Sequence, residues 1–320
     1  MSLVLDEIEK RIAALRHQGR DRESEPLLRR AVRLACREYG ERHPAHATLL
    51  NDLGGLYRTT GRYAESEACF VQAREIFAAT LGENDPGYAT CLNNLAGLYR
   101  LTGEHTRSEH LFLEASAIYA RTLGERHFLY ASNLNNLALL YQDLARYDEA
   151  IRLQVQALDI VRSTSGGGTP SYATSLCNLA ATYMAKGDLA AAEPLLDSAF
   201  EILRTATTED DVRHFSALNA MASLHCRRGR FAAAAALYGQ VLEICAQRWG
   251  TDHPAYAGAL ASLGVVHVAT GRRADAERCY RAALEIRRRV LGEAHPSTLD
   301  VRQALAALHT QDGRAAPLDR

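Results

Sequence analysis

Glycine returns on a fixed spacing of 42 residues along this chain, at positions 19, 61, 103, 187, 229, 271 and 313, and only Ala145 interrupts the series. A second series on the same spacing runs through 40, 82, 124, 166, 250 and 292, with Thr208 as its one departure. A single globular domain places its turns wherever its own topology needs them. An even spacing over the whole length marks one supersecondary unit copied and stacked. The 320 residues are therefore expected to form one array rather than two ordinary domains.

Composition narrows the function classes. Hydrophobic residues make up 47% of the chain, enough for a continuous core, and the net charge is −1. Neither nucleic acid nor an anionic membrane is an expected partner for so balanced a charge. The amino terminus, MSLVLDEIEK, has no basic start followed by an apolar run, and no stretch approaches the ~18 apolar residues of a membrane span. Seven cysteines, scattered without CxxC spacing, fit a reducing cytoplasm. Lys10 and Lys186 are the only lysines, an arginine bias that reads as codon usage from a GC-rich, bacterial genome.

One copy, residues 85–124, shows what each unit is. Asp85-Pro86 is a helix opener, since Asp accepts free backbone N–H groups and Pro suits the first turn. Leu92, Leu95, Ala96 and Tyr99 then form one apolar helical face, and Gly103 ends this first helix. Leu111, Phe112, Ala115, Ile118 and Tyr119 make the stripe of a second helix, closed by Leu123-Gly124. Leu50, Leu53, Gly54 and Tyr57 repeat the first face, as do Leu134, Leu137, Ala138 and Tyr141. Further openers are His43-Pro44, Thr169-Pro170, His253-Pro254 and His295-Pro296. Two amphipathic helices cannot bury their faces alone, so neighbouring pairs must stack.

The pattern L-x2-L-[GA]-x2-Y, a turn glycine, and then Tyr63-x2-Ser66 or Tyr147-x2-Ala150 resembles the tetratricopeptide repeat. The 42-residue form, with Leu92-Asn93-Asn94-Leu95-Ala96 and Leu134-Asn135-Asn136-Leu137-Ala138, is similar to the repeats of kinesin light chain and its bacterial relatives. The resemblance implies an all-α fold, a right-handed α-solenoid or superhelix of helix-turn-helix repeats. The array is expected over residues 1–310: a ragged first unit, six fuller units opening near 43, 85, 127, 169, 211 and 253, and residues 296–309 as a capping helix. Residues 311–320 are expected to fray. The Ser163–Gly168 segment keeps the period, so it is expected to be a turn inside the array.

One stripe of the first helix lies off the core. It reads Thr48, Asn51, Gly55, Arg58, then Thr90, Asn93, Gly97, Arg100, then Ser132, Asn135, Leu139, Gln142. Asn51, Asn93, Asn135 and Asn219 share one phase, and Asn94, Asn136 and Asn178 the next. Asparagine inside a helix costs about 0.5 kcal/mol against Ala, so something must offset this recurrence. Two uses are open. The amides match the alternating N–H and C=O of an extended peptide, or they bond between neighbouring repeats. The family resemblance implies that the first helix lines a concave groove whose asparagines hold a ligand main chain. Arg16, Arg58 and Arg100 form a cationic edge suited to an acidic segment or a terminal carboxylate, unless they are only a solvated face. Met184, Cys226 and Val268 take the same phase later, so the ligand is expected to be polar at one end and apolar at the other.

No HExxH, GxSxG, Walker or GxGxxG motif is present, and no cofactor or metal is expected. His43, His253 and His295 read as turn chemistry, while His225, His267 and His309 take the core phase of Tyr57. Cys91 and Cys177 are expected to be accessible but inert without a paired base. The expectation is a non-catalytic adaptor that binds a protein or peptide. Alternatives are a scaffold that self-associates through its apolar carboxy-terminal units, or a protein with a small-molecule or catalytic pocket.

Overall fold

A computed structural model describes residues 3–17, 20–206 and 212–310, and among these all regular structure is α-helical. The helices fall into two compact units, Met1–Lys186 and Gly187–Arg320. In the first unit α1 (Leu3–His17) packs on α2 (Asp21–Tyr39), α3 (Pro44–Thr59) on α4 (Tyr63–Thr80), α5 (Pro86–Thr102) on α6 (His105–Thr122) and α7 (Phe128–Asp143) on α8 (Tyr147–Ser165), with α9 (Pro170–Lys186) after them. The second unit holds α10 (Leu189–Ala206), then the pairs α11 (Val212–Arg227) with α12 (Phe231–Trp249) and α13 (Pro254–Ala269) with α14 (Arg273–Leu291), and finally α15 (Pro296–Thr310). The chain is thus a helical solenoid built from hairpins. The division between units falls at Lys186 and Gly187 rather than at the glycine run, where Gly166 simply caps α8. The expected opener at Asp211 and the tail 311–320 lie outside the described residues.

The turn spacing has a conformational cause. The turn glycines at 61, 103, 187, 229 and 271 all adopt positive φ, a region in which a Cβ crowds the carbonyl. Ala145 holds the same left-handed conformation at φ 56, so the turn is kept where its glycine is missing. Helix starts are equally regular. Asp85 Oδ1 accepts the Gly87 N–H at 2.7 Å. The Nδ1 atoms of His43, His127, His253 and His295 do the same for Ala45, Leu129, Ala255 and Ser297, at 3.1 to 3.3 Å. Each such cap contributes about 1 kcal/mol.

Within a hairpin, a small residue on the first helix meets a large one on the second. A Cβ at Gly54 would stand 2.7 Å from the Phe70 ring, and one at Gly264 2.6 Å from Tyr280. Ala96 and Phe112, both fully buried, repeat the pairing. Ser66 and Ser108 tie the two helices further, donating to the carbonyls of Gly54 and Ala96 at 2.7 and 2.8 Å. Between hairpins, Ala89, Leu92, Ala115, Ile118 and Tyr119 share one cluster with Ala47, Leu50, Ile76 and Phe77. Stacking buries what one hairpin would leave wet.

Two expectations about single residues change. Cys91 is fully buried rather than accessible, and burial pushes its thiol up to about 12. His309 is half exposed rather than in the core, because α15 ends the described stack and its ring turns to Glu277 at 3.1 Å.

Candidate functional site

α3, α5, α7 and α9 pack in succession, which sets their off-core stripes side by side. Asn94 Nδ2 donates to Asn51 Oδ1 at 2.9 Å, from α5 to α3. Asn136 Nδ2 donates to Asn93 Oδ1 at 3.0 Å, from α7 to α5. A longer contact of 3.5 Å joins Asn93 Nδ2 to Asn94 Oδ1. The four amides therefore form one directional chain across three hairpins, running from Asn136 through Asn93 and Asn94 to Asn51. Bonds between repeats offset the helix cost of these asparagines, so their recurrence has a cause that needs no ligand. The chain leaves two unspent ends. An amide has two donor hydrogens and two acceptor lone pairs. Asn51 keeps its Nδ2 hydrogens and Asn136 its Oδ1.

The donor end opens on a depression. About 250 Å³ of space is lined by Asn51, Asp52, Gly55, Leu56, Arg58, Thr59 and Asn94. Arg58 crosses from α3 onto α5 and gives its Nη1 to the Asn94 carbonyl in a long 3.5 Å contact. Gly97 makes the crossing possible, since a Cβ there would stand 2.8 Å from Arg58 Nη1. Arg58 forms no ion pair with any described carboxylate. Burial, and then the charge of Arg100, push its guanidinium below its ordinary value. A desolvated cation without a counter-ion favours the approach of an anion.

The other expected residues are placed as follows. Arg100 pairs with Asp143 of α7 at 2.6 Å, so its charge is already answered within the fold. Of the three arginines of the expected cationic edge, Arg58 is the one left without an ion pair among the described side chains. Gln142 donates to Thr182 of α9, which also bonds the buried Gln154. Asn135 has an Oδ1 that is buried without a partner, and Asn178 is half-buried and lends its backbone carbonyl to Thr182. Asn219 belongs to α11 of the second unit. The side chain of Arg16 lies outside the described residues.

Sequence reading missed what separates Arg58 from Arg100, although the signal was present. Asp143 stands 43 residues after Arg100, and 43 residues after Arg58 the chain has Leu101 instead of an acid. A second missed feature is a glutamate series at 25, 67, 109, 193 and 277, again on the 42-residue spacing. Each reaches the next repeat, which for Glu277 is the single helix α15. Glu25 takes Arg62 at 2.8 Å, Glu67 takes the Tyr99 hydroxyl at 2.6 Å, and Glu109 takes the Tyr141 hydroxyl and Arg146 at 2.8 and 2.9 Å. Arg107 and Arg146 each lie 4.0 Å over the neighbouring tyrosine ring. Burial first, and then the glutamate, push the Tyr99 and Tyr141 hydroxyls up to about 12. These clusters join hairpins and leave the amide face alone.

No group of three or more His, Cys, Asp or Glu among the described residues is placed to hold a metal ion. No helix among them is long and apolar enough to cross a membrane. Burial pushes the Cys177 and Cys245 thiols up to about 11 and about 12, so both are poor nucleophiles at neutral pH.

The family described as tetratricopeptide repeat matches residues 7–70, 46–121, 92–160, 129–205, 213–289 and 259–317. Among solved structures, the chain is similar to a putative kinesin light chain of nearly identical TPR-like repeats from Podosopora anserina. That protein is 25% identical, and the match covers 64% of this chain and 97% of that one, with a TM-score of 0.52. A tetratricopeptide repeat protein from Parabacteroides merdae is 16% identical over 96% of this chain and 100% of its own, with a TM-score of 0.58. A Rap protein complexed with competence and sporulation factor is 14% identical over 98% of both chains, with a TM-score of 0.58. No curated protein sequence matches the chain.

Proposed function

Because the chain belongs to the tetratricopeptide repeat family, we propose that it is a non-catalytic adaptor that takes an extended peptide segment across α3, α5 and α7. An acidic group of that segment, a side chain or a terminal carboxylate, sits on Arg58. The observation that carries this reading is Arg58 itself: a partly desolvated guanidinium without an internal acid, beside a depression of about 250 Å³. Guanidinium and carboxylate meet in bidentate geometry, and the unspent Asn51 amide hydrogens stand next to them. The rest of the amide chain works by preorganisation. Bonds between repeats hold Asn51, Asn93, Asn94 and Asn136 in fixed positions, so little further ordering is lost on binding. Asn136 then offers a carbonyl to a ligand N–H at the opposite end. Beyond it Gln142, and then the buried Met184, replace arginine, which fits a ligand that becomes less polar toward α9. The fold likeness to a Rap protein complexed with competence and sporulation factor is in keeping with such a role.

Selection from a random library of short peptides with free carboxy termini tests the proposal. Peptides retained by the full chain should be enriched in Asp, Glu or a required terminal carboxylate. Arg58→Gln should lower their affinity at least about tenfold, or 1.4 kcal/mol, with helical content unchanged by circular dichroism. Retained peptides without acidic preference, or equal binding by the variant, would retire the site.

A second reading, self-association, draws on Val265 and Val268, which are 49% and 39% exposed on α13. Light scattering separates the two readings: a concentration-dependent dimer abolished by Val265→Asp favours association.

A further inference from the structure

Four of the five helix starts capped through a side chain in this pattern use an imidazole, and each uses it as an acceptor. His43, His127, His253 and His295 receive a backbone N–H on Nδ1. A neutral imidazole has one such lone pair, and an imidazolium has none. Protonation therefore removes the acceptor and places a positive charge where the helix dipole is already positive. The fifth start, that of α5, is capped by Asp85, whose carboxyl offers an acceptor oxygen with or without a proton.

We propose that the array carries an acid-sensitive catch. His43, His127, His253 and His295 hold the first turns of α3, α7, α13 and α15 while neutral, and all four release as the imidazoles charge. The start of α5 stays fastened.

The surroundings of each ring bear on the release. His43 stacks on Tyr39 with ring centroids 5.0 Å apart, and Glu41 and Arg42 precede it in the turn. His127 lies against Phe128 at 4.7 Å and follows Glu125 and Arg126. His253 stacks on Trp249 at 4.9 Å, where Arg248 also covers the indole and Asp252 pairs with Arg289. His295 faces Arg287 and Asp300. Burial and then Arg287 favour its neutral form, with Asp300 opposing them. In each ring Nδ1, the atom that must stay unprotonated, faces the backbone N–H of the first turn. The inference stands apart from the proposed ligand site, since it concerns the fold with or without a partner.

Hydrogen exchange of the full chain, read by mass spectrometry at pH 8 and pH 5 and corrected for intrinsic rates, tests it with an internal control. Peptides over the starts of α3, α7, α13 and α15 should lose protection roughly fivefold on acidification, as expected for a lost cap. The peptide over the start of α5 should not. His253→Asp should abolish the change at α13 alone. The emission of Trp249, the only tryptophan, should change reversibly with pH in the wild type and lose that change in the same variant. Equal pH response at all five starts would overturn the catch, as would an α13 response that survives His253→Asp.

Discussion

At position 97 a glycine leaves space that the Arg58 guanidinium fills, with Nη1 2.8 Å from where a Cβ would stand. The atom displaced by Gly97→Ala is the far end of a flexible side chain, so the fold should tolerate the change. Removing a helix-interior glycine should even raise stability by up to about 1 kcal/mol. The same methyl would push Arg58 off its bed, so peptide affinity should fall while the melting temperature holds or rises. A loss of both together would contradict this placement. Ala145 offers the opposite experiment. A non-glycine residue in the left-handed region costs about 1–2 kcal/mol, and glycine's greater freedom in the unfolded chain returns part of any gain. Ala145→Gly should therefore stabilise the protein by about 0.5–1 kcal/mol in denaturant unfolding. The phase of each asparagine was legible in sequence, because a helix repeats its faces. Which amide bonds which was not, since that depends on the stagger of one hairpin against the next. The same offset, one residue beyond the period, gives Arg100 its Asp143, while Leu101 rather than an acid stands 43 residues after Arg58.

Helix starts and ends were the most legible elements. Proline after His or Asp, and glycine on a fixed spacing, specify local backbone conformations that need no tertiary context. His43, His253 and His295 read as turn chemistry because proline follows each, whereas His127, followed by Phe128, gave no such signal, and the use of Nδ1 as an acceptor depends on how each ring is turned. His295 turns this chemistry into a stability prediction. Burial and Arg287 hold its folded value below the ordinary histidine value of about 6.5, so the native state prefers the neutral ring. Its contribution is fully present above about pH 6.5 and is lost as pH falls toward the depressed folded value. Thermal unfolding of wild type and His295→Asp should diverge as pH drops from 7 to 5, with the wild type losing more. Parallel curves would contradict the assignment. The glutamate series shows the limit of reading elements singly. Glu67 and Glu109 look like ordinary exposed helix residues until the next hairpin brings Tyr99 and Tyr141 to them.

Over the whole molecule, a single spacing of 42 residues made the repeated helices of the described residues legible. It did not disclose the division at Lys186, where Gly187 falls on the same spacing as the other turn glycines. Periodicity reports local geometry, whereas compact units follow from which side chains cluster, and those vary from copy to copy. The candidate face lies wholly within the first unit. It depends on three successive copies differing slightly: an unanswered arginine on α3, an answered one on α5, and glutamine on α7. An ideal repeat would have no such gradient and no preferred ligand direction. The most direct test is a double-mutant cycle on peptides selected by the full chain, in which Arg58→Gln is combined with loss of the ligand's acidic group through amidation or Asp→Asn. The account predicts a coupling of at least about 1 kcal/mol between guanidinium and carboxylate. Additive effects, with no coupling, would show that the ligand's acid rests elsewhere.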